Sequence, residues 1–255
     1  MLAFVGLGLY DERSITVEGR EVLAEADRVF AEFYTSKLVG TTVADLEDYH
    51  GIEIELRDRA GVEQRPGPVL DAAGSGTVAF LTAGDPMVST THVDLRLRAH
   101  GRGIDTRVVH GTSAATAAAG LTGLQNYRFG KATTLPFPDV HGGVPDSVLD
   151  TLSDNADRGL HTLVYLDIRA DEDEYMTAAT AAGLLADARG DGLGVAVARA
   201  GSPGPVVAAD RCSALADREF GDPLHLLVIP GDLHHLEAEA LRELAGAPTD
   251  LVDVD

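Results

Sequence analysis

Short apolar runs and longer mixed stretches alternate along this chain, and the spacing predicts strands separated by helices. Strands are expected at Ala3–Gly8, Arg28–Glu32, Ile52–Leu56, Thr77–Thr82 and Thr106–His110. Helices are expected at Thr16–Ala26, with Thr16 as N-cap, at His92–His100, and over the small-residue stretch Gly111–Gly120. The periodicity fades around Tyr127–Pro145, where Pro136, Pro138, Gly142, Gly143 and Pro145 cluster. A second half then offers a helix near Ser147–Asp154, a strand at Thr162–Ile168 and a helix at Thr177–Ala188. It continues with a strand at Gly194–Ala200, a return strand at Val206–Ala209, a strand at Leu224–Ile229 and a helix at Leu236–Ala245. The pattern predicts an α/β protein of two α/β domains, residues 1–130 and 131–255, with no internal repeat.

Two segments stand out within that pattern. Leu2–Arg13 reads LAFVGLGLYDER and Ala79–Thr91 reads AFLTAGDPMVSTT. In each, an apolar run stops at a glycine-bearing turn before a helix-like stretch. Open α/β sheets bind ligands at that carboxyl edge, where turn N–H groups are free. The first segment is not a dinucleotide fingerprint, because Asp11 stands where a third glycine is needed.

Charge narrows the partners. With 41 acidic and 20 basic residues the formal net charge is −21, and the basic set is 18 Arg with only Lys37 and Lys131. Such a surface repels nucleic acid and suits molar salt, where screening acts within about 3 Å. It predicts a halophile's protein that binds no nucleic acid. One cysteine, Cys212, excludes an internal disulfide and any cysteine-based metal cluster, and is expected to be inert. His234 and His235 are adjacent rather than four apart, so no metal site is expected. Met1–Tyr10 lacks a basic leader, and no apolar run approaches the ~20 residues that span a bilayer, so a cytoplasmic protein without a membrane partner is expected.

Several residues are open to two readings. Gly8–Leu9 reads as a tight turn with Leu9 in the core, or as a ligand-facing edge. Asp85 either caps the helix that follows it or accepts a hydrogen bond from a ligand. Ser113 reads as an N-cap and Ala114 as helix former. Leu166 and Ala200 read as core strand positions, and His225 as a satisfied structural histidine. Asp167 and Arg199 are expected to pair with each other, and the acidic Asp250–Asp255 stretch to be solvated chain end.

GLGLYDERSIT at Gly6–Thr16, AEFYTS at Ala31–Ser36, GDP followed by STTH at Gly84–His92, GLHTLVYLDI at Gly159–Ile168, ARAGS at Ala198–Ser202 and FGDPLHLLVIPG at Phe220–Gly231 resemble the diphthine synthases. The wider group is the tetrapyrrole-methylase-like fold of S-adenosylmethionine enzymes. GDP is common to that group; YDERSIT, AEFYTS and GLHTLVYLDI in this order are far more selective. The resemblance implies two α/β domains of the tetrapyrrole methylase type with the cofactor cleft between them. It implies S-adenosyl-L-methionine as cofactor, S-adenosyl-L-homocysteine as product, and N-methylation of a 3-amino-3-carboxypropyl-histidine on translation elongation factor 2, giving diphthine. It also implies a homodimer. The positions matching cofactor contacts are Leu9, Asp85, Val88, Ser113, Ala114, Leu166, Ala200 and His225, with Leu166 and Ala200 acting mainly through backbone. No catalytic residue comes with the match. The departing thioether is neutral, so rate rests mainly on alignment of nucleophile, methyl carbon and sulfur. A tetrapyrrole substrate and a non-catalytic binding module are the rivals; YDERSIT and AEFYTS weigh against the first, and cofactor turnover with elongation factor 2 present separates all three.

Overall fold

The computed structural model describes residues 1–253, and the side chains of all of these but Asp171. The chain divides into two compact units, Met1–Ala114 and Ala115–Asp255. The division precedes the boundary expected near Gly130. Residues 125–128 are held within the second unit by Glu237, which accepts the Gln125 N–H at 2.8 Å and the Arg128 guanidinium at 3.1 Å.

In the first unit five parallel strands form one sheet: β1 (Leu2–Gly6), β2 (Arg28–Glu32), β3 (Ile54–Leu56), β4 (Val78–Thr82) and β5 (Thr106–Val109), in the order β3-β2-β4-β1-β5. Every residue of β1 and β4 is buried, as expected of parallel strands covered on both faces. Alternation sends Ala3, Val5, Ala79 and Leu81 to one face, against Val22 and Leu23 of helix Val17–Glu25 and against Leu46. Leu2, Phe4, Val78 and Phe80 go to the other, against Val69, Leu70 and Ala73 of helix Gly67–Ser75 and Leu95 and Ala99 of helix His92–Gly101. Thr16 caps the first helix as its sequence predicts, accepting the Gly19 N–H at 3.0 Å.

β1 ends two residues before the sequence reading places it. Gly8 has φ +73° and leaves the strand geometry. In this unit the helices Val43–His50, Arg59–Glu63 and Gly67–Ser75 are not among the expected elements. The first carries a capping box between Thr42 and Asp45, a signal present in the sequence.

The second unit builds a different sheet. β6 (Thr133–Leu135), β7 (Thr162–Leu166), β10 (Leu193–Ala198), β11 (Val206–Arg211) and β12 (His225–Ile229) take the order β11-β10-β12-β7-β6. Only β6 and β7 run parallel; the other neighbours are antiparallel. A two-stranded ribbon, β8 (Ile168–Arg169) with β9 (Glu174–Tyr175), stands apart. β11 returns on β10, as the hairpin expected at Val206–Ala209 requires. Leu152, Val164, Leu166, Ala182, Leu185, Ala196, Leu215 and Leu227 are among the residues of its core. Cys212 lies in the same core, and burial raises its thiol to about 11, which suits the inert role expected of it. The acidic end is not all free chain: Thr249–Val252 is helical and Val252 is buried, while residues 254–255 lie outside the described residues.

Candidate functional site

The carboxyl ends of β4, β1 and β5 are fastened to one another by backbone. Gly8 donates to the Gly84 carbonyl at 3.2 Å, and Gly84 donates back to the Gly8 carbonyl at 2.7 Å. A Cβ on Gly6 would sit 2.6 Å from both Gly111 N and Gly84 O, and one on Gly111 would sit 2.3 Å from Gly84 O. No side chain fits at Gly6 or Gly111, because three turns meet there main chain to main chain.

The first turn is held from within. The Ser14 hydroxyl donates to the Leu9 carbonyl, and Asp11 accepts the Arg13 N–H at 3.1 Å and pairs with its guanidinium. Burial alone would raise the Asp11 carboxyl, but its bonds from Arg13 outweigh that and hold it below the usual range. The Gly40 N–H reaches the Tyr10 carbonyl at 2.7 Å. YDERSIT therefore encodes a self-bonded turn that presents Leu9, half-buried, beside Gly8.

Asp85 links the GDP turn to the exit of β5. It is buried at 6 % exposure. Its Oδ1 accepts the Met87 N–H at 2.9 Å; its Oδ2 accepts from His110 Nδ1 at 2.7 Å and from the Gly111 N–H at 3.3 Å. The capping expectation needs correction. Helix His92–Gly101 starts seven residues later, so Asp85 caps the turn at Met87 and not that helix. Oδ1 keeps a lone pair beyond its bond to Met87. Val88 follows, 40 % exposed. On the other side of the Asp85 clamp, Ser113 is buried and Ala114 opens helix Ala114–Thr122. Leu9, Asp85, Val88, Ser113 and Ala114 thus sit on three strand exits at one sheet edge.

Behind this edge lies a buried pair that the sequence did not single out. Glu32 and His92 are 0 % and 1 % exposed. Glu32 Oε2 accepts the Tyr34 and Thr35 N–H groups at 3.1 and 3.0 Å, and its Oε1 faces His92 Nε2 at 3.4 Å. His92 Nδ1 donates to the Pro86 carbonyl at 2.9 Å. AEFYTS and STTH therefore meet, and together they brace the GDP turn. Burial raises the Glu32 carboxyl to about 7 and lowers His92.

In the second unit Leu166 ends β7, His225 starts β12 and Ala200 follows β10 by two residues. β12 lies between β10 and β7, with His225 opposite Ala198 and Leu226 opposite Tyr165, so these three positions also share one edge. His225 Nδ1 accepts the Ala178 N–H at 3.1 Å, and Nε2 donates to the Asp222 carbonyl at 3.0 Å. Both ring nitrogens are thus occupied inside the unit, and burial lowers its pKa. What His225 offers a ligand is backbone and ring edge.

The expected Asp167–Arg199 pair is replaced by two backbone anchors. Asp167 accepts the Phe137 N–H at 3.1 Å and the Ile168 N–H at 2.9 Å, while Arg199 donates to the Phe220 carbonyl at 2.5 Å and the Asp222 carbonyl at 2.9 Å. His234 caps helix His235–Ala245, its Nδ1 accepting the Leu236 N–H at 3.3 Å. Among the described residues, no group of three or more His, Cys, Asp or Glu side chains is placed to hold a metal ion. No helix among them is long and apolar enough to cross a membrane.

Comparison with known proteins places the chain. Residues 1–216 match the family Tetrapyrrole (Corrin/Porphyrin) Methylases. The chain is 70% identical to the diphthine synthase of Halorubrum lacusprofundi over 99% of its own length and 100% of that protein's. It is 50% identical to the diphthine synthase of Methanosarcina acetivorans, with 99% of each chain covered. Among solved structures, a crystal structure of diphthine synthase superposes with TM-score 0.92 at 39% identity, covering 98% of both chains. A putative diphthine synthase from Entamoeba histolytica follows with TM-score 0.85 at 32% identity, covering 97% of this chain and 99% of that one. The chain belongs to the tetrapyrrole methylase family and, within it, to the diphthine synthases.

Proposed function

We propose that this protein transfers methyl groups from S-adenosyl-L-methionine to the amino group of a 3-amino-3-carboxypropyl-histidine on translation elongation factor 2, giving diphthine in diphthamide biosynthesis. The observation that carries this reading is likeness along the whole chain, 70% identity over 99% of it, to a protein that bears that name.

The eight matched positions are the proposed cofactor contacts. Five lie on the strand exits of the first unit and three on the edge formed by β7, β10 and β12. The chemistry of the first set suits the cofactor. Leu9 and Val88 offer apolar surface beside turn backbone, the Asp85 Oδ1 lone pair suits a hydroxyl or ammonium group, and Ala114 leaves room at a helix start. The cofactor supplies an activated methyl group; the chain's own task is to bind it, align the acceptor amine and exclude water. On the same resemblance the protein acts as a homodimer in the cytoplasm.

Incubation with S-adenosyl-L-methionine and elongation factor 2 carrying the precursor histidine tests the reading. Intact mass spectrometry should show methyl-sized steps, and a factor with that histidine replaced should gain none. Equal gain by both proteins would overturn the acceptor. Transfer to a small tetrapyrrole instead would move the chain to the other branch of its family.

A further inference from the structure

The acceptor amine enters as an ammonium ion at neutral pH, and only its neutral form has the lone pair that attacks carbon. Something must take a proton before each transfer. We propose that His110 is the general base that removes it, with Asp85 as the residue that orients the ring; this rests on the function proposed above.

The geometry is specific. A carboxylate is acceptor-only, so the Nδ1 that lies 2.7 Å from Asp85 Oδ2 carries the ring's proton. In the neutral ring Nε2 then holds a free lone pair. The imidazole is 73 % exposed while its carboxylate partner is buried. That asymmetry separates it from an ordinary surface ion pair, in which both side chains swing in solvent. Asp85 cannot swing, because the Met87 and Gly111 N–H groups fix both of its oxygens. A buried carboxylate that sets tautomer and direction, with the far nitrogen open, is the arrangement that histidine bases use.

Five of the other eight histidines have Nε2, the nitrogen that His110 leaves open, facing protein atoms. His92, His161 and His225 are buried with both ring nitrogens facing protein atoms, and the Nε2 atoms of His50 and His100 face the Glu12 carbonyl and Thr106. His110 also stands in the right place. It immediately precedes Gly111, lies three residues before Ser113 and holds Asp85, so it belongs to the same strand exits as the proposed cofactor contacts.

The step balances. The Nε2 lone pair takes one proton from the substrate ammonium, leaving a neutral amine and an imidazolium. The amine lone pair forms the new N–C bond as the C–S bond breaks, and the bonding pair returns to sulfur. The exposed imidazolium then releases its proton to solvent. The methylated ammonium product loses a proton to the same ring before any further transfer.

His110→Ala and His110→Gln test the assignment in the full-length protein with precursor-bearing elongation factor 2. Gln keeps a donor toward Asp85 but has no basic nitrogen, so both variants should lose on the order of 10²–10⁴ in kcat. Calorimetric affinity for S-adenosyl-L-methionine should stay within about twofold of wild type. Added imidazole should restore turnover to His110→Ala in proportion to its concentration and leave wild type unchanged. Turnover within about threefold of wild type in both variants would overturn the assignment. Loss of turnover that imidazole does not rescue would make His110 a structural residue and overturn it equally. A wild-type protein that binds the cofactor yet fails to methylate the factor would instead refute the proposed substrate.

Discussion

His92 Nε2 lies 3.4 Å from Glu32 Oε1, and among the described residues neither atom has a hydrogen-bond partner elsewhere. Because His92 Nδ1 donates to Pro86, its Nε2 is unprotonated when the ring is neutral. Two acceptors facing each other in a dry site are unstable, so one proton must lie between them. With Glu32 raised to about 7 and His92 lowered, that proton sits on the carboxyl.

This gives stability a definite pH dependence. Glu32 is protonated in the fold and ionised in the unfolded chain between its ordinary value of 4.5 and about 7. Its contribution is fully present below that interval and is lost as pH rises through it, at up to about 1.4 kcal/mol per pH unit. Glu32→Gln mimics the neutral acid and has no proton to lose. Denaturant melts from pH 4.5 to pH 8 should show the wild-type advantage over Glu32→Gln shrinking through that window and then levelling. His92, with its lowered value, acts in the opposite direction below its ordinary 6.5, in both proteins alike. A difference that stays flat with pH would refute the shared proton.

Glu237 predicts a stability effect of another kind. Fully buried, it accepts from Gln125 N–H, His161 Nε2, Arg128 and His234 N–H. Burial alone would raise its pKa, but those backbone bonds and the His161 ring outweigh burial and hold it below the usual range. Glu237→Ala strands four donors at once and should cost about 3–5 kcal/mol in a chemical melt. Glu239→Gln, exposed two residues on, should stay within about 0.5 kcal/mol of wild type. Equal melts for the two variants would remove Glu237 from its central role.

Ala114→Phe addresses the proposed cofactor contacts. Ala114 is only partly buried at the start of its helix, beside the exit of β5, so a larger side chain there displaces no core. Titration calorimetry should show affinity for S-adenosyl-L-methionine falling by more than about tenfold, or ~1.4 kcal/mol, at an unchanged melting midpoint. Wild-type affinity in that variant would mean the pocket lies elsewhere.

Salt supplies the last test. Self-repulsion across a surface of net charge −21 is screened in molar potassium chloride and felt within about 10 Å at ~0.1 M. The thermal midpoint should fall as salt is withdrawn. A midpoint indifferent to salt would contradict the halophilic reading.

What was legible in the sequence was local. The Thr16 cap, the apolar run of β1 and the hairpin of β10 with β11 each show within a single short stretch of chain, and each is present. The strand ends were missed where backbone conformation decides them, at Gly8 and at Arg199 with φ +52°. The Thr42–Asp45 capping box was there to be used. Long-range polar pairing was not legible. Glu32 and His92 lie 60 positions apart and His161 and Glu237 76 apart, and nothing local to either pair announces the other. The supposed Asp167–Arg199 pair failed for the same reason, since chain pattern does not reveal which carbonyls and N–H groups a fold leaves unpaired.

The strand order of the first unit also sets a timetable for biosynthesis. Leu2 pairs with Val78 and Thr106, and Arg28 likewise waits for Val78. At about 5–20 residues per second, the wholly apolar LAFVG strand spends several seconds without either neighbour while the chain grows. Only the pairing of Val29–Ala31 with Ile54–Leu56 is available in that interval. The segment Val78–Thr82 is therefore the point in synthesis at which the nascent sheet gains its middle, and a ribosome stalled just upstream of it would leave the LAFVG strand, wholly buried in the finished fold, uncovered.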